Sequence, residues 1–91
     1  MIVARRYRVT GRVQGVGFRW FVERAALREG LHGWVRNAAD GSVEAEAEGD
    51  AEAIARFESA LRAGPSAARV EDLEITDVPP RLRATGFMVR G

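Results

Sequence analysis

The spacing of apolar residues changes period at Phe18 and again after Asp50. Between positions 7 and 13, Tyr7, Val9, Gly11 and Val13 share one face of an extended chain, and Arg6, Arg8, Thr10 and Arg12 the other. From there Phe18, Phe21, Val22 and Ala25 follow the i, i+3, i+4, i+7 spacing of a helix that Gly30 stops, with Trp20 and Leu27 on its opposite side. "LHGWVRN" (31–37) predicts a second strand, Asp40-Gly41 a hairpin turn, and "SVEAEAE" a third strand with Val43, Ala45 and Ala47 against Glu44, Glu46 and Glu48. Asp50 is placed to cap a second helix, whose buried stripe is Ile54, Phe57 and Leu61 and whose end is Gly64-Pro65. Residues 69–77 predict a fourth strand, broken near Glu71-Asp72; Pro79-Pro80 interrupts the chain, and "TGFMVRG" supplies a short last strand.

A β-α-β-β-α-β order with two amphipathic helices leaves few ways to bury both stripes in one core. The expected fold is an α+β, ferredoxin-like sandwich: an antiparallel sheet with two helices on one face, plus a short C-terminal strand. Its first and third strands would be neighbours. Arg6, Arg8 and Arg12 would then meet Glu44, Glu46 and Glu48 on a solvated face, in pairs worth about 0.2–1 kcal/mol each. Ninety-one residues suit one domain, expected to span 1–91.

Composition removes several kinds of chemistry. There is no cysteine and one histidine, His32, so thiolate sites and histidine clusters are excluded. All fourteen basic residues are arginine, which excludes a Schiff-base lysine and the lysine of a nucleotide-binding P-loop. A net charge of +1 is not that of a polyanion binder. No apolar run reaches membrane-spanning length, and the N-terminus lacks a leader pattern. The expectation is a cytoplasmic monomer without a nucleic-acid partner or membrane association.

The stretch "GRVQGVGFRWF" (11–21) carries the chemistry. It joins the exit of a strand to the start of a helix, where unpaired amides and the helix dipole favour an anion. Gly15 and Gly17 leave the backbone bare, and Arg19 adds a planar, permanently charged fork that suits phosphate oxygens. Taken alone, the same residues also describe a tight turn followed by a surface arginine. Asn37 has two readings as well, a turn residue before Asp40-Gly41 or a polar group for a site.

"VQGVGFR" (13–19), followed by "GLHGWVRNAADGSVE" (30–44), resembles the acylphosphatase family, and the resemblance runs from Tyr7 to the closing "GFMVR". It implies the ferredoxin-like fold and hydrolysis of the carboxyl–phosphate bond of a small acyl phosphate, without a cofactor. It implies that Arg19 binds the phosphoryl group and that Asn37 holds the attacking water. The phosphate cradle would be the backbone amides of Gln14, Gly15, Val16, Gly17 and Phe18. His32 is expected to be a half-exposed strand residue and Asp40 a turn residue. Trp34 either packs at the sheet edge or lines the acyl side of the pocket; packing is preferred. Two rivals are kept: an acylphosphatase-like binding or regulatory module, and an RNA-recognition-like module. The chain's end at residue 91 favours a free-standing enzyme, and Glu44, Glu46 and Glu48 on the third strand argue against RNA.

Overall fold

The computed structural model describes residues 1–81 and 86–91. Its elements run β1 (Ile2–Arg12), α1 (Phe18–Arg28), β2 (His32–Asn37), β3 (Val43–Asp50), α2 (Ala51–Ala63), β4 (Arg69–Val78) and β5 (Phe87–Val89). Thr85, the first residue of the anticipated last strand, lies outside the described residues. The sheet order is β4-β1-β3-β2-β5, so β1 and β3 are neighbours as the topology requires. The pairs β1–β3, β1–β4 and β2–β3 are antiparallel.

β5 makes the sheet mixed, because it runs parallel to β2 with Gly33 opposite Phe87 and Val35 opposite Val89. Its neighbour is reached only by crossing the sheet, since β4 and β5 stand at opposite edges. Phe87 anchors the strand, its ring 6.2 Å from that of Phe57 on α2.

The helices cover one face. Ile54, Phe57 and Leu61 of α2 and Phe18, Val22 and Ala25 of α1 are buried against Tyr7, Val9, Val35, Val43 and Ala45. Each large side chain of this kind contributes roughly 1.5–3 kcal/mol by leaving water. Asp50 caps α2, its Oδ2 accepting from the Glu52 amide at 3.1 Å. The predicted break in the fourth strand is a shift in the β1–β4 register: Thr10 faces Asp72 but Gly11 faces Val70, so Glu71 is the extra residue.

β1 begins five residues earlier than the alternation implied, because Arg5 lies on the helix side. Its guanidinium donates to Glu58 Oε2 at 2.8 Å, as does the Tyr7 hydroxyl. Burial first, and then the hydrogen bond to the Glu58 carboxylate, push the Tyr7 hydroxyl far above its ordinary range.

The other face is not the solvated charge ladder expected. Arg6 faces Glu46 and Arg8 faces Glu44 in the strand register, but Arg12 is paired with Arg69 of β4. The ion pairs form elsewhere: Arg36 with Glu44, Arg8 with Asp40 and Glu74, and Arg81 with Glu46. Glu46 and Glu48 are only 5% and 9% exposed. The reason is Arg81, which returns over them beyond Pro79-Pro80. Its amide donates to Glu48 Oε1 at 2.5 Å, and its guanidinium lies 3.3 Å from Glu46. Carboxylates held this far from water need such partners.

Candidate active site

α1 has no side-chain cap and no acidic residue in its first turn. Its N-cap residue, Gly17, sits in the left-handed region at φ 76°, ψ 21°. Gly15 has φ 74°. A side chain at either glycine would meet no atom within 4 Å, so what they supply is backbone conformation rather than clearance. The outcome is a helix start whose positive end faces outward, undiluted by a carboxylate.

The loop is pinned at both ends and in between. Val13 and Phe18 are buried in the core, and Val16 packs against it. The Gln14 side chain turns toward the β2–β3 turn, its Nε2 donating to the carbonyls of Ala38 at 2.7 Å and Ser42 at 2.9 Å. The side chains of Gln14 and Val16 are thus spent on holding the loop, and any part they take in binding an anion falls to their backbone.

A concavity of about 140 Å³ opens at this helix start, lined by Val13, Gly15, Gly17, Phe18, Arg19, Trp20 and Asn37. The strand parity explains Asn37: in register with Val43, it lies on the helix side of β2 at the end nearest the loop. The turn that follows Asn37 is made by Asp40. Asp40 Oδ1 accepts from Ser42 Oγ at 2.6 Å and from the Ser42 amide at 2.9 Å. The Ser42 hydroxyl first, then the Arg8 guanidinium and the Ser42 amide, hold the Asp40 carboxyl well below the usual carboxylate range.

Arg19 leans on the backbone beyond β5, its Nη1 donating to the Arg90 carbonyl at 2.7 Å. Four further N–H donors of the guanidinium remain for other acceptors. Among the described lining residues there is no carboxylate, histidine, cysteine or lysine, the side chains that ordinarily serve as a general base. Among the described residues, no three His, Asp or Glu side chains gather as a metal site would require.

His32 and Trp34 share the far face of β2, in register with Glu48 and Glu46. His32 is half-buried. Trp34 is 4% exposed and does not line the concavity; it packs beneath Arg6, Arg36 and Arg90, whose guanidinium carbons lie 4.8–5.4 Å from its ring centre. A covered indole beside buried carboxylates offers no platform for stacking RNA bases. The residue that sequence reasoning missed is Trp20, 65% exposed at the rim of the concavity. Its place on the polar side of α1, next to Arg19, was the available signal.

The acylphosphatase family model matches residues 5–89. An acylphosphatase of Koribacter versatilis is 52% identical over 87 residues, 96% of this chain and 79% of that one. The crystal structure of acylphosphatase from Bacillus subtilis superimposes with a TM-score of 0.93 at 38% identity, covering all of both chains. A full-length HypF in its phosphate- and nucleotide-bound form is also similar, with a TM-score of 0.92 and 30% identity, but the chain covers 12% of it.

Proposed function

Because the chain belongs to the acylphosphatase family, hydrolases of small acyl phosphates, we propose that the 14–18 loop, Arg19 and Asn37 are the parts that carry out this hydrolysis. The observation that supports the assignment most is the shared concavity. Gly15, Gly17 and Arg19 from one segment line it beside Asn37 from another, with no carboxylate or histidine among the described lining residues.

In this reading the phosphoryl oxygens sit on the loop amides and the helix start. Arg19 adds donors fixed before the substrate arrives. Charge stays spread over three oxygens during transfer, so positioning and electrostatics supply most of the acceleration. The Asn37 carbonyl accepts from a water, and its amide steers the substrate or the same water into line. Water oxygen bonds to phosphorus as the bond from phosphorus to the acyl oxygen breaks. The electron pair leaves on a carboxylate, a leaving group stable enough to depart without an acid. The water proton passes to a phosphoryl oxygen of the substrate, giving inorganic phosphate. What supports that route is that the described lining residues include no carboxylate or histidine; an essential enzyme base in the pH–rate profile would overturn it.

The enzyme is read as a cytoplasmic monomer; the exposed large apolar residues among those described are Met1 and Ile2 at the start of β1, Trp20 and Leu27 on α1, and Met88 on β5. Light scattering tests the monomer. Hydrolysis of acetyl phosphate, measured with and without chelator, tests the function. Chelator should have no effect, and Arg19→Ala and Asn37→Ala should each lose at least about 100-fold in rate. Near-normal rates in either variant would remove that residue from its role. Similarity to one part of HypF keeps the binding-module reading open to the same assay: a wild-type chain with no turnover would favour it.

A further inference from the structure

We propose that Trp34 is a positioning residue for this reaction, acting from the far face of the sheet through Arg90 on Arg19. The inference rests on the assignment of Arg19 to the phosphoryl group. A long, rotamer-rich side chain serves as a preorganised donor only if something fixes it before substrate binds. Among the described residues, no carboxylate does so. The hydrogen bond from Arg19 Nη1 to the Arg90 carbonyl, at 2.7 Å, is what holds it.

That carbonyl belongs to the residue following β5, an edge strand of three residues held on one side only by β2. Arg90 is tied twice. Its amide donates to the Val35 carbonyl of β2 at 2.8 Å. Its guanidinium lies over the Trp34 ring, 4.8 Å from the centre. The ring is itself immobilised, being nearly buried and flanked by Arg6 and Arg36. Arg36 is locked in turn by Glu44, whose Oε1 accepts from its Nε at 2.9 Å and its Nη2 at 2.7 Å.

β2 therefore reaches both reactive groups. Asn37 projects from its end into the concavity. Trp34, three residues earlier and on the opposite face, sets the Arg90 carbonyl on which Arg19 rests. A cation–π contact at a covered ring is strong enough to bias the segment after β5, though far weaker than the phosphate contacts themselves.

The test uses variants that spare the backbone bonds. Arg90→Ala keeps the carbonyl and the amide but removes the guanidinium; Trp34→Leu removes the ring; Arg90→Lys keeps a cation. Arg90→Ala and Trp34→Leu should each lower kcat for acetyl phosphate by about three- to ten-fold, and Arg90→Lys should recover most of the loss. The double variant should be no slower than the slower single, and neither change should slow an Arg19→Ala enzyme further. The ¹⁵N heteronuclear NOE of the Arg19 Nε–H group should fall in both variants, whether or not turnover is measured. Additive losses, equal losses in the Arg19→Ala background, or an unchanged Arg19 NOE would overturn the proposal. If Trp34→Leu does not fold, Arg90→Ala alone decides it. A wild-type chain inert toward acetyl phosphate would defeat the functional reading instead, and the Arg19 NOE would still judge the link to Trp34.

Discussion

Gly17→Ala tests how the loop is built without removing a functional side chain. Gly17 holds φ 76° and ψ 21°, and a methyl group there would touch no atom within 4 Å. The change therefore introduces no clash, only the preference of an L-residue against left-handed backbone, about 1–2 kcal/mol. For a domain of this size that lowers Tm by about 4–15 °C. The loop cannot relax freely, because Val13 and Phe18 are buried on either side and Gln14 is bonded to the β2–β3 turn. Whatever relaxation occurs re-aims the amides at the start of α1, so turnover of acetyl phosphate should fall along with stability. Asparagine tolerates the left-handed region better, so Gly17→Asn should recover part of both losses. Thermal denaturation and initial rates on the three proteins make the comparison. A Gly17→Ala protein with unaltered Tm and unaltered kcat/KM would refute the reasoning, as would an asparagine variant no better than alanine.

Two further predictions concern the scaffold. Tyr7→Phe removes a buried hydroxyl bonded to the Glu58 carboxylate at 2.8 Å, and should cost about 1.5–3 kcal/mol in urea unfolding, with acetyl phosphate turnover unchanged. The pH dependence of Asp40→Asn follows from the depressed folded-state pKa of Asp40: its stabilising effect is present above the unfolded value of about 3.9 and is lost as pH falls toward the folded value. The difference in Tm between wild type and Asp40→Asn should thus be largest near neutral pH and shrink below about pH 4. A difference that grows on acidification would contradict the assignment.

The fold was largely legible because the two apolar periods are clean. Ile54, Phe57 and Leu61 are the buried stripe of α2, and Val43, Ala45 and Ala47 the helix-facing side of β3. What resisted reading depended on contacts distant in sequence. The start of the first strand at Ile2 was not legible because the partners of Arg5, Glu58 of α2 and Asp77 of β4, are distant in sequence. Glu46 and Glu48 looked wet because alternation says which face a residue takes, not that Arg81 will cover it. The parallel run of β5 could not be read from a three-residue strand. Of the candidate site, the loop stood out by residue type and spacing, whereas Asn37 was singled out by the resemblance to the acylphosphatase family. The Arg19–Arg90 contact did not, since it is made to a backbone carbonyl 71 positions away that any residue could supply.

The most direct measurement is a crystal structure of the chain soaked in inorganic phosphate. A tetrahedral anion should lie in the hollow at the start of α1, within hydrogen-bond distance of the loop amides and the Arg19 guanidinium, with the Asn37 side chain facing it. An empty hollow with Arg19 directed elsewhere, or phosphate bound only at Arg6 and Arg90 on the far face, would contradict the account.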